Sequence, residues 1–292
     1  MKRNRAPRSV SVDPLDIISL SDLHCGDNFG LYPLDVPLKL DEGSGHQPGH
    51  SQSLLWGHYV DFKEWAFARV GRRPFILVTN GDCLDGVHHG TVTQFTHNLK
   101  DQRKVAYAVL KPLVDRAAYY LHIRGTEAHG GQSGQDEEDL AEDLGAVPDE
   151  HTGHHARWDL WLEVGGIMCH FKHHIGTTGS TAYQMTGLGK EIMESLAEAA
   201  RLGKPIPRVI VRSHRHVPGI ATRPSPVGDI TCVVTPGWQI VSPFAWRIPG
   251  ARQTLGEFGG IHIRVQDGEP AIKTWVRAVD RSATVNFGGR HD

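Results

Sequence analysis

The chain has 292 residues, with 31 Lys and Arg against 33 Asp and Glu and a formal net charge of −2. A composition of 39% apolar and 22% charged residues fits one large or two ordinary globular domains and excludes a disordered chain. The near-neutral balance excludes a global pull towards nucleic acid, and no apolar run reaches the ~20 residues of a membrane span. Histidine is unusually frequent, at 19 residues, and glycine reaches 33. The four cysteines, Cys25, Cys83, Cys169 and Cys232, form no C-x-x-C pair. That spacing disfavours a disulfide framework or a zinc knuckle and points to a reducing, cytoplasmic setting.

Residues 1–14 open with a basic stretch that has no hydrophobic segment behind it, the pattern of a tail rather than a signal peptide. Residues 15–292 read as a single domain. Asp16 to Leu20 is a buried strand, and residues 26–50, rich in Gly, Pro and Asp, form a long insertion. Leu55, Tyr59, Phe62 and Ala66 repeat at helical spacing, ending near Gly71. Phe75 to Thr79 is a second strand, a helix with an internal Pro112 spans about Asn98 to Ala117, and Tyr119 to Ile123 is a third strand. An acidic helix follows at residues 135–144. Trp158 to Val164 and Ile167 to His170 form a hairpin turned at Gly165-Gly166. A helix covers about Gly189 to Leu202, closed by Gly203 and Pro205. Val209 to Val211 and Ile230 to Val234 are strands, and Gly260 to Val265 pairs through Asp267-Gly268 with Ala271 to Val276. Helices and strands alternate early and hairpins dominate late, which suggests an α/β sandwich with a mixed sheet.

Five successive strand ends carry metal-type ligands: Asp22 and His24, Asp82, Glu127 and His129, His170, then His214 and His216. An i, i+2 pair at a strand end points both side chains to one side, so Asp-x-His and His-x-His can each grip one ion. Carboxylate oxygens mixed with imidazoles suit Mn²⁺, Fe or Zn²⁺ better than Ca²⁺. One Asp between two such groups can bridge two ions about 3.5–4 Å apart.

These blocks resemble the calcineurin-like metallophosphoesterase family, whose signature is D-x-H, G-D-x-x-D, G-N-H-D/E, a lone H, and G-H-x-H. Here they stand as Asp22-Leu23-His24, Gly81-Asp82-Cys83-Leu84-Asp85, Gly125-Thr126-Glu127-Ala128-His129, His170, and Ser213-His214-Arg215-His216. The resemblance implies a four-layer α/β/β/α fold of two mixed sheets holding two divalent metal ions, with Mn²⁺ first and Fe or Zn²⁺ as alternatives. It implies Asp22, His24 and His216 at the first metal, Asp82 as bridge, and His170 and His214 at the second. It also implies that Asp85 steadies a catalytic histidine. The third block departs from the pattern. Glu127 is expected as its oxygen ligand, with Thr126 as the alternative, and His129 as the displaced catalytic imidazole. His173 and His174, in the polar loop after a ligand, and Arg215 are expected to touch substrate. The expected activity is hydrolysis of a phosphomonoester or phosphodiester by a metal-bridging water. The substrate would be a phosphorylated small molecule or a nucleic acid. A nuclease and a catalytically impaired protein-binding scaffold are the rival readings.

Overall fold

The computed structural model describes residues 15–88, 90–131, 133–176, 183–243 and 255–280. The basic tail, His89 and the second half of the polar loop near residue 177 lie outside them. Two mixed β-sheets face each other. The first runs in the order β11 (Glu269–Asp280), β10 (Leu255–Gln266), β1 (Asp16–Leu20), β2 (Phe75–Asn80), β3 (Tyr119–Ile123), β4 (Ala156–Arg157). The second runs β5 (Leu160–Val164), β6 (Ile167–Phe171), β7 (Val209–Arg212), β9 (Ile230–Val234), β8 (Gly219–Arg223). Strands β1 to β4 are mutually parallel, as are β6, β7 and β9, and antiparallel strands close the outer edges except at β4.

Side-chain alternation decides how the layers stack. Ile17, Ile76, Val78, Leu121 and Ile123 of the first sheet meet Cys169, Phe171, Val209, Val211 and Val233 of the second in one apolar layer. Their neighbours Ile18, Leu20 and Leu77 point the other way, onto α1 (His50–Val70), α2 (Leu99–Arg116) and α4 (Gln135–Leu144). On the far side, Ile210, Cys232 and Val234 pack against Leu188 and Ile192 of α5 (Gln184–Leu202). The order is therefore α/β/β/α, with the central parallel strands hydrophobic on both faces, as parallel strands covered on both sides require. The predicted helix face Leu55, Tyr59, Phe62, Ala66 is fully buried.

Several boundaries differ from expectation. Helix α5 begins five residues before Gly189, and β10 and β11 extend to twelve residues each. Strands β4 and β8 carry too little apolar alternation to be seen in the sequence. Pro112 sits inside α2 without ending it. No described helix is long and apolar enough to cross a membrane, and the four cysteines are free and buried.

All the parallel strands of the first sheet end at one edge, beside the ends of β6 and β7. The third block is held there by Glu138. Its carboxylate accepts the amides of His155 and Ala156 at 2.7 and 2.9 Å and the Arg124 guanidinium at 2.8 Å. Burial alone would raise the Glu138 carboxyl, but these donors outweigh it and hold it at about 2, against 4.5 in the open chain. A depressed folded pKa stabilises above the open-chain value and is lost as pH falls through the folded one. Glu138→Gln should cost roughly 2 kcal/mol of unfolding free energy at pH 7, and the deficit should shrink between pH 4.5 and about 2 in denaturant titrations.

Candidate metal centre

The pairing of β1 with β2 continues past both strands. Asp22 N–H donates to Gly81 O at 2.9 Å, His24 N–H to Asp82 O at 3.1 Å and Cys25 N–H to Cys83 O at 3.0 Å. This zips the first two motif blocks side by side. The backbone must turn sharply to allow it. Asp22, His24, Asp82, His214 and His216 all have φ between 46° and 73°, and Asp267 is the one other described non-glycine residue in that region. A left-handed conformation costs an L-residue of order 1 kcal/mol. Five of the six such residues are Asp and His gathered at one place, which makes that place the candidate site. Two glycines make the close approach possible. A Cβ on Gly125 would lie 1.9 Å from Asp82 Oδ1, and one on Gly81 would lie 2.5 Å from His173 Nδ1.

The resulting side chains fall into four overlapping groups of ligand atoms. Asp22, His24 and His216 form one, Asp82, His173 and His214 another, His24, Asp82 and His129 a third, and Asp85, His88 and His129 a fourth. His24 Nδ1 donates to Asp85 Oδ1 at 3.1 Å, which leaves its Nε2 facing His216 Nε2 at 3.1 Å. His173 Nδ1 donates to the Asn80 carbonyl at 2.6 Å, which leaves its Nε2 2.9 Å from Asp82 Oδ2. Outer nitrogens tethered and inner nitrogens converging is the arrangement that orients metal-binding imidazoles.

Asp22 is fixed in the same way. Its Oδ2 accepts the Ser21 hydroxyl, which joins Thr235 Oγ1 at 2.7 Å. Thr235 meets Ser213 Oγ at 2.6 Å, and Ser213 in turn takes the Asn80 amide at 2.6 Å. This buried chain of hydroxyls runs between the two sheets and leaves Asp22 Oδ1 turned to the centre. Asp22 Oδ1 and His173 Nε2 are buried and make no aligned hydrogen bond, although His216 Nε2 lies 3.2 Å from the one and Asp82 Oδ2 2.9 Å from the other. Atoms bound to one ion at about 2.1 Å stand about 3.0–3.4 Å apart without pointing at one another. The donor set therefore fits divalent cations.

Electrostatics agrees. Burial raises Asp22, yet His216 and His173 hold its carboxyl at about 2. Burial likewise raises Asp82, and His173 and His129 drive it well below the usual carboxylate range. Burial would lower His173, but Asp82 and Asp22 push it up to about 10. Three buried carboxylates, those of Asp22, Asp82 and Asp85, make a field that demands positive charge. His129 behaves differently: burial and the neighbouring His24 lower it to about 4. Its Nδ1 donates to the Asp85 backbone carbonyl at 2.5 Å, and its ring meets His24 edge-on with centroids 4.5 Å apart.

The structure brings together Asp22, His24, Asp82, His129, His214 and His216. His170, expected as a ligand, is not among them. Cys169 and Phe171 face the inter-sheet layer, so His170 points to the opposite face, where its Nε2 meets Asp159 at 2.5 Å and its ring stacks on Trp161. His173, expected at the substrate, takes the place beside Asp82 instead. Glu127, expected as a ligand, is exposed at the start of the short helix α3 (Glu127–Gly130), while Thr126 touches Asp82 through its amide at 2.6 Å and its hydroxyl at 3.2 Å. Asp85 holds His24 with its carboxylate at 3.1 Å, and His129 by a hydrogen bond to its carbonyl with the carboxylate 3.9 Å away. His174 lies against His214, with centroids 4.9 Å apart. Arg215, expected at the substrate, turns under α5 to the Gln184 carbonyl at 3.3 Å. Arg212 pairs with Glu191 and Arg208 with Glu269, each at 2.7 Å.

Beneath Asp82, Cys83, His122 and Glu137 form a further buried group that sequence reasoning missed. His122 there bonds Glu137, Tyr120 and Thr79, and Glu137 accepts the Cys83 amide at 2.8 Å, so the group fixes backbone. One signal would have found His173. Asp22, Asp82 and His214 each stand two residues beyond a strand end, at Leu20, Asn80 and Arg212, and the same offset from Phe171 gives His173.

No family model matches the sequence, and no curated protein matches it. Among solved structures, vacuolar protein sorting 29 from Cryptosporidium parvum is similar at 10% identity and a TM-score of 0.35, covering 92% of this chain and 100% of that one. The Thermotoga maritima protein TM1076 is similar at the same identity and TM-score, covering 90% of this chain and 99% of that one. Similarity at this level leaves the chemistry to be argued from the residues themselves.

Proposed function

We propose that the protein is a metal-dependent phosphoesterase of the calcineurin-like kind, acting on phosphomonoesters or phosphodiesters in a reducing compartment such as the cytosol. The observation that carries this reading is the pair of adjoining ligand groups that share Asp82's surroundings. Asp22, His24 and His216 would hold one ion, Asp82, His173 and His214 a second, and Mn²⁺, Fe or Zn²⁺ suits such mixed N/O donors. When bound, two such ions supply Lewis acidity to the phosphoryl oxygens and lower the pKa of a water towards neutrality.

The chain's own residues do the rest. His214, exposed, and His216, half-buried, are the most accessible members of the two groups and would face the substrate. Asp85 keeps His24 in one tautomer, with its proton on Nδ1 and its lone pair inward. The Asp85 carbonyl does the same for His129, whose Nε2 is then the atom that meets the ester. An arriving phosphate dianion favours the protonated imidazole, and His129 can then release that proton to the departing oxygen. A nucleic-acid substrate has weaker support, since Arg208, Arg212 and Arg215 all have internal partners.

Turnover of p-nitrophenyl phosphate and bis(p-nitrophenyl) phosphate with added Mn²⁺ tests the proposal. Asp82→Asn and His216→Ala should each lower kcat at least ~10³-fold, the scale of losing a principal electrostatic group, with circular dichroism unchanged. Near-normal activity in either would refute the metal assignment. The ligand set is tested without catalysis. Mn²⁺ at 100 times its Kd should stabilise the protein by about 2.7 kcal/mol. That shift in Tm should shrink in His173→Ala, which keeps only the Asp22, His24, His216 set whole, and stay undiminished in His170→Ala, and the reverse result would restore His170 as the ligand.

A further inference from the structure

Beyond the ligand groups, His129 forms one wall of a cleft of about 480 Å³. Gly86, Val87, His88, Leu99, Ala128 and Gly131 line the remainder, with Glu127 at the rim. The volume is of the size that small-molecule sites use. Val87 is 57% exposed there, an apolar side chain kept in the open beside a highly charged centre. The flank beside His174 and His214 is of the opposite character: Lys172, Lys204, Arg212, Glu191, Glu194 and Glu198 surround a polar cavity.

Position and lining together say what the apolar cleft receives. A phosphoryl group belongs with the cations at Asp22, Asp82 and their histidines. His129 stands between that centre and the cleft, 4.5 Å from His24 on one side and 4.3 Å from His88 on the other, centroid to centroid. The bond to the alcohol therefore leads past His129 into the cleft. Among the cleft's lining residues Glu127 is the one carboxylate, and no Lys or Arg answers it. A second phosphate or a carboxylate on the alcohol would meet that negative charge with no Lys or Arg in the lining to offset it.

On the phosphoesterase reading, we infer that this cleft is the leaving-group pocket, and that Glu127 selects esters of uncharged, apolar alcohols against anionic ones. Glu127 then serves specificity where the sequence suggested a metal ligand. Isosteric esters test it: 4-carbamoylphenyl phosphate and 4-carboxyphenyl phosphate differ in charge and hardly in shape. The Mn²⁺-loaded protein should prefer the neutral ester by about tenfold in kcat/KM. Glu127→Gln should narrow the preference roughly threefold to fivefold, the scale of one exposed charge, and Glu127→Lys should reverse it. Leu99→Asp should lower kcat/KM for phenyl phosphate while the Mn²⁺-induced Tm shift stays as in the wild type.

A second readout needs neither metal nor turnover. In methyl NMR of the metal-free protein, phenol should move the Val87, Leu99 and Ala128 signals, and 4-hydroxybenzoate should not; in Glu127→Lys both should. Turnover with equal kcat/KM for the two esters in wild type and Glu127→Lys would overturn the inference and leave the phosphoesterase reading standing. Unmoved methyl signals would overturn it too. Failure to turn over any phosphate ester would overturn the phosphoesterase reading, and the leaving-group assignment with it.

Discussion

The three backbone hydrogen bonds that carry the β1–β2 pairing beyond the sheet constrain everything else at the centre. They hold Asp22 to Gly81, His24 to Asp82 and Cys25 to Cys83. Two chains cannot stay paired there and also aim carboxylates and imidazoles at a common point unless the backbone turns left-handed. The strain at Asp22, His24 and Asp82 follows, and the second sheet repeats it at His214 and His216. Such strain persists only where packing over-determines it. Trp238, fully buried, donates its amide to the Asp22 carbonyl at 2.8 Å, and Glu137 clamps Cys83 from below.

The same constraint explains how much of the molecule was legible in its sequence. The central strands announce themselves as short apolar runs, and Asp22, His24, Asp82, His214 and His216 follow them at once. The four-layer order came through the resemblance, and the alternation of Ile17 against Ile18 or Val209 against Ile210 then accounts for it. His170 misled because it sits inside β6, where parity sends it outward, whereas the residue past the strand end turns inward. Thr126 against Glu127 was not readable either. The choice depends on Gly125 letting the backbone touch Asp82 and on a one-turn helix carrying Glu127 to the surface, and neither leaves a periodic trace.

The two flanks of the centre differ in kind although one strand edge builds both. On one side His170 of β6 meets Asp159, and Arg212 of β7 pairs with Glu191 of α5. On the other, the turn after Asp85 and the start of α2 bring small and aliphatic groups. Burial makes unpaired charge expensive, so the charged flank is closed by its own partners. The apolar flank carries Glu127 alone, exposed to water where its charge needs no partner.

The hydroxyl chain from Ser21 through Thr235 to Ser213 has a consequence for how the molecule comes into being. Ser21 belongs to the first sheet, and Ser213 and Thr235 follow strands of the second. The ligands span residues 22 to 216, and the two sets assigned to the ions, Asp22, His24, His216 and Asp82, His173, His214, each draw on both sheets. A half-folded chain with only one sheet formed completes neither of those two sets. The cation is then a late reporter of assembly: it recognises the registered sandwich, and a slip of one sheet on the other would turn Asp22 away before any strand had melted.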